Sequence, residues 1–170
     1  IRSFGSVMLD SGTGLLNVWG YAQGSGSTTS TNGIELNGST TLKSASASAN
    51  AITMTGIAMS TSVANSWGLY LRSGDSIVAT NGGGISLTGS GAVHSGVVVK
   101  GDVLSTGGPI TLTGTGYGAG YYAVDVSGYL GLKASSSVTS SSSNITLIGD
   151  KFSLTGNVAS TGVLTLKPYT

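Results

Sequence analysis

The sequence predicts an all-β parallel solenoid with about three short strands in each turn. Three observations carry this: apolar alternation that ends in Gly, an internal repeat near 27 residues, and a shortage of charge. Charged residues are 8% of the 170, with 29 Gly and only two Pro. An average soluble domain carries about 25% charge.

The clearest unit reads apolar-x-apolar-x-Gly. It occurs at Ile34–Gly38, Ile52–Gly56, Ile85–Gly89, Ile110–Gly114 and Ile145–Gly149. A period of two places Ile, Leu and Met on one face and Thr, Ser, Glu or Asn on the other. The Gly is expected to supply a bend where a side chain would obstruct. The core is therefore predicted from Ile34, Leu36, Ile52, Met54, Ile85, Leu87, Ile110, Leu112, Ile145 and Leu147. Spacings between these units are 18, 33, 25 and 35 residues, and the variation falls in Gly- and Ser-rich stretches.

A second unit runs Gly68-Leu69-Tyr70-Leu71, then Gly96-Val97-Val98-Val99, then Val124-Asp125-Val126. Gly74, Gly101 and Gly128 follow these strands, 27 residues apart each time. A third short strand comes after each Gly, at Ile77–Ala79, Val103–Ser105 and Leu130–Leu132. A repeat of 20–35 residues made only of short strands signals a solenoid. Helix is disfavoured throughout, because Gly, Ser and Thr are spread everywhere and no i, i+3, i+4, i+7 pattern lasts three turns.

The solenoid explains the composition. Outward residues stack on their own kind from turn to turn, which disfavours like charges and favours Ser, Thr and Asn. At this repeat the 170 residues make roughly six coils, stacked about 4.8 Å apart. The whole of 1–170 reads as one segment, with 1–33 less regular and 34–166 carrying the clearest repeats. A membrane β-barrel needs strands of about 9–11 residues, longer than most of these units, and a β-sandwich has no need of the repeat. The chain opens Ile1-Arg2-Ser3-Phe4, with neither Met nor signal peptide, and is expected to belong to a longer chain or a filament subunit. Neither terminus reads as a capping helix. Open strand edges are then expected to meet further coils of the same chain or a second copy, end to end.

These repeats, Ile-Thr-Leu-Thr-Gly followed by a Gly-Val-x-Val-x-Gly strand, resemble those of filamentous haemagglutinin-type exoproteins and large autotransporter passengers over roughly residues 34–166. The resemblance implies a right-handed parallel β-helix, secreted to a bacterial surface and used as a stalk or adhesive fibre.

Candidate chemistry is sparse. The formal charge is +1, there is no Cys and there is one His, so a nucleic-acid surface, a disulfide scaffold and a Cys or His metal site lack their residues. No apolar run reaches the ~18 residues of a spanning helix. No cofactor is expected. The six acids are scattered, and Asp75 and Asp102 are expected to be turn aspartates one coil apart. Arg72 and Lys100 are expected to be solvated charges paired weakly with nearby Asp, and His94 an exposed loop residue. Trp19 and Trp67 are expected to pack at loops or corners, and the Ser-rich stretch 135–143 to be a polar excursion. Tyr117, Tyr121, Tyr122 and Tyr129 form the densest aromatic group, and are the candidate contact surface for a host or neighbour-cell glycan or protein. The expected role is an extracellular structural or adhesive filament without catalysis. The alternatives are a polysaccharide-binding or polysaccharide-cleaving β-helix and, from the outward Thr pairs, an ice-binding solenoid.

Overall fold

The computed structural model describes residues 1–24, 31–60, 66–116, 120–131 and 144–170. The described residues contain strands and no helix, and every strand pairing is parallel. Three sheets result. The first stacks β1 (Met8–Asp10), β4 (Thr41–Ser44), β7 (Ser76–Ala79), β10 (Asp102–Ser105), β13 (Tyr129–Gly131) and β16 (Asn157–Ala159). The second stacks β2 (Leu16–Ala22), β5 (Ile52–Ala58), β8 (Ile85–Gly91), β11 (Ile110–Gly116), β14 (Ile145–Ile148) and β17 (Leu164–Lys167). The third stacks β3 (Ile34–Leu36), β6 (Leu69–Leu71), β9 (Val97–Val99), β12 (Val124–Val126) and β15 (Phe152–Leu154). Strand numbers rise by three from neighbour to neighbour, so the chain visits the three sheets in rotation. That order fits a β-helix or solenoid.

The register puts like on like. Ile52, Ile85, Ile110 and Ile145 are successive partners, and so are Met54, Leu87, Leu112 and Leu147. Leu69, Val97 and Val124 form a column in the third sheet, and Leu42, Ile77 and Val103 one in the first. All ten predicted core residues lie inside, none more than 4% exposed. Columns of branched side chains fill the space between the sheets while each backbone ladder pairs with the strands on either side.

Three details differ from the expectation. The Ile34 unit does not belong with the other four; it stacks under Leu69–Leu71 in the third sheet. Its Ile-x-Leu spelling matches the second-sheet units, but its position in the chain, before β4, decides its sheet. The Gly of the repeat is a bend at Gly38 (φ +99°) and Gly149, as expected, but not in the other three units. β5, β8 and β11 each run through it for seven residues. Gly56, Gly89 and Gly114 face inward, where a Cβ would stand 2.1, 2.1 and 1.8 Å from the carbonyl oxygen of Gly68, Gly96 and Ala123. The next corner of the chain crosses that space, so obstruction alone requires the Gly. Finally, Asp102 pairs with Ser76, which aligns Gly101 with Asp75 rather than with Gly74. The Gly74 spacing is therefore one residue out of register.

Candidate functional site

Trp67, His94, Tyr121 and Tyr122 lie at the corner where the chain leaves the second sheet for the third. Successive corners are tied by Gly68 N–H to Ser95 O, Gly96 N–H to Tyr122 O and Ala123 N–H to Lys151 O. This offset stacks Ser66, His94 and Tyr121 at one position and Trp67, Ser95 and Tyr122 at the next. The rings follow as a seam. Trp67 lies 4.5 Å from Tyr70 and 5.7 Å from His94, and His94 lies 3.8 Å from Tyr121, centroid to centroid.

Cations cover the seam. The Arg72 guanidinium lies 4.9 Å from the Tyr70 ring centroid and the Lys100 ammonium 5.6 Å from it. Lys151 stands 5.1 Å from the Tyr122 ring. Attraction of a cation to the ring quadrupole is worth about 0.5–1 kcal/mol at exposed sites. Tyr121 and Tyr122 are the accessible members, partly exposed at the rim, whereas Tyr70 is buried. Of the four tyrosines of the candidate surface, the structure thus brings Tyr121 and Tyr122 together. Tyr129 lies on β13, in the first sheet. Tyr117 lies outside the described residues, as does the Ser-rich stretch 135–143.

His94 corrects the sequence reading. It is 3% exposed, not a surface loop residue, and its Nδ1 has no hydrogen-bond partner. Ser66, at the equivalent position one circuit earlier, also buries an unpartnered hydroxyl. Packing between Trp67 and Tyr121 explains the burial, and those contacts join residues 27 apart, beyond any local pattern. Trp67 does pack at a corner. Trp19 does not: it lies on β2, 62% exposed, stacked on Tyr21.

The charges also pair differently. The Arg72 guanidinium pairs with Glu35 rather than with an Asp: its Nε donates to Glu35 Oε1 at 2.6 Å. Arg2 Nε donates to Glu35 Oε2 at 2.7 Å and Asn32 Nδ2 to the same oxygen at 2.8 Å. Glu35 is 1% exposed although it faces outward from β3. The only Glu of the chain is held between its only two Arg. The bond to Glu35 raises the Arg72 pKa above its ordinary value. That uniqueness was the signal available in the sequence, but pairing them required the stacking of residues 2, 35 and 70 in one column.

Asp75 behaves as expected of a turn aspartate. Its buried carboxylate accepts from the backbone N–H of Thr40 at 2.7 Å and of Arg72 at 3.2 Å. Asp102 is exposed on the next strand, so the two are not paired carboxylates. No group of three or more His, Cys, Asp or Glu side chains able to hold a metal occurs among the described residues. No helix among them is long and apolar enough to cross a membrane.

The other chemically distinct regions are the two ends of the stack. Leu9 continues the Leu42–Ile77 column and is 47% exposed. At the opposite end Leu154, Leu164 and Leu166 continue the columns of Val126, Ile145 and Leu147, and are 38%, 45% and 51% exposed. No family model, curated protein or solved structure matches the chain.

Proposed function

We propose that this chain is part of an extracellular structural or adhesive filament or stalk of a bacterial surface, wound as a right-handed parallel β-helix of six coils. It acts by shape and contact, not by catalysis. The observation that carries this reading is the state of the ends. Core columns run out into exposed Leu9 on one side and into exposed Leu164 and Leu166 on the other. Among the described residues, β1, β2, β15, β16 and β17 each pair with a strand on one side only, whereas the outer edge of β3 is bridged by Arg2. Another set of coils, from the same chain or from a second copy, satisfies the hydrogen bonds and covers the leucines in one step. The resemblance of the repeats to filamentous haemagglutinin-type exoproteins and autotransporter passengers supports secretion and the hand of the coil.

The adhesive side of the reading rests on Tyr121 and Tyr122 beside Lys151. Rings with a polar tip at a solvent-facing corner suit contact with a glycan or protein of a host or neighbouring cell.

Electron microscopy of the purified chain and of native material tests the proposal. Rods or fibres whose axial rise is a whole number of coils are expected. Compact particles at every concentration, with no rod in native material, would overturn it.

A further inference from the structure

We propose that the outer face of the second sheet is a binding surface for an uncharged polysaccharide, separate from the ends and from the corner seam. Its outward positions fall in register. Thr53, Ser86 and Thr111 form one column, and Thr55, Thr88 and Thr113 the column beside it. The sequence alone obscured this array, because it placed Glu35 and Asn37 among the equivalent positions. The register removes them to the third sheet.

These six hydroxyls share one property, and on this face it falls in register. None of them hydrogen-bonds to another group among the described residues. Several hydroxyls on the other sheets and corners are committed: Ser3 to Thr40, Thr41 to Ser76, Ser44 to Gly14, and Ser105 to Gly83. The face therefore offers a fixed grid of uncommitted donors and acceptors. The grid spacings are about 4.8 Å between strands and about 6.6 Å along each strand. Little side-chain freedom is lost when a ligand uses it, because Thr is stiff and the strands are held on both sides.

An independent observation points to the kind of ligand. Trp19 and Tyr21 are outward residues of β2, in register with Thr55 and Ile57 of the same face. Their rings are stacked at 6.2 Å with only 9° between planes, and are 62% and 47% exposed. A further coil added at this end would lie beside them in the ladder and leave the outer face open. Two exposed rings next to rows of hydroxyls fit a chain of sugars, whose apolar faces stack on rings and whose hydroxyl rims hydrogen-bond. The face carries no charge from β2 to β14, which selects against anionic polymers. A peptide strand finds no unpaired backbone here, since each interior strand is bonded on both sides. An ice surface would make no use of the ring pair.

The test is retention of the full chain on insoluble neutral polysaccharides, namely cellulose, chitin and a β-1,3-glucan, with alginate as the charged control. Retention on at least one neutral polymer is expected, reduced at least tenfold by Trp19→Ala with Tyr21→Ala and again by Thr88→Lys with Thr113→Lys. Circular dichroism and fibre formation should be unchanged in both variants, which separates this site from the filament reading. No retention on any neutral polymer, retention unaffected by both variants, retention on alginate alone, or thermal hysteresis without glycan retention would each overturn the proposal.

Discussion

Glu35 shows how a charge becomes tolerable on a nearly uncharged surface. Its carboxylate is buried, yet Arg2, Arg72 and Asn32 supply four hydrogen bonds to it. Removing Glu35 leaves two neighbouring guanidiniums, each more than a third exposed, without their shared counter-charge and hydrogen-bond acceptor. Glu35→Ala is expected to lower stability by about 2 kcal/mol, read as a shift in the urea midpoint, and Glu35→Gln by less. Gly89 is restricted by space instead. A Cβ there meets the Gly96 carbonyl at 2.1 Å, so Gly89→Ala should cost about 1–3 kcal/mol. The adjacent outward Thr88→Ala should stay within about 0.5 kcal/mol. Asp10 carries the acid response of the first edge. Its carboxylate accepts from Gly12 N–H and lies near Lys43, which together hold its pKa below the ordinary value. A lowered folded pKa stabilises above the unfolded value, and that contribution is lost as pH falls through the folded one. The protection factor of the β1 amides, the observed exchange rate corrected for its intrinsic pH dependence, should therefore fall on acidification, and Asp10→Asn should remove that response.

At the scale of the element, each strand owes its stability to the strands above and below it in the stack. Leu112 sits between Leu87 and Leu147 and is fully buried. Leu112→Ala should cost about 2–5 kcal/mol through the cavity it leaves. Leu112→Asp places an unpaired charge in the same column and should unfold the rod, visible as loss of the β signal in circular dichroism. Because contacts are made mainly between neighbours, stability should vary along the axis. Hydrogen exchange is expected to be slowest in β5, β8 and β11 and fastest in β1, β16 and β17.

At the scale of the whole stack, the proposed end-to-end contact can be tested at β17. Leu164→Lys with Leu166→Lys places charge on the last strand, whose inward leucines are already half exposed. Charge on an edge opposes pairing with another edge. Sedimentation should show the parent chain associating as concentration rises and the variant remaining monomeric, with the same circular dichroism spectrum.

The sequence by itself determined the local choices. Period-two alternation gave the strands and their inward residues, and the recurrent Gly marked positions that no side chain can occupy. The 27-residue spacing of Gly74, Gly101 and Gly128 was close enough to bring Leu69 over Val97 and Ile77 over Val103. These patterns are legible because solenoid contacts repeat at a nearly constant separation in the chain. Only the tertiary structure decided which unit joined which sheet. Ile34–Leu36 and Ile52–Met54 are spelled alike, and their sheets differ because of where the intervening corners fall. The burial of His94, the clamp on Glu35 and the grid of free hydroxyls all depend on that assignment. Each joins side chains from different circuits, separated by loops of unequal length, so no window of sequence contains the contact.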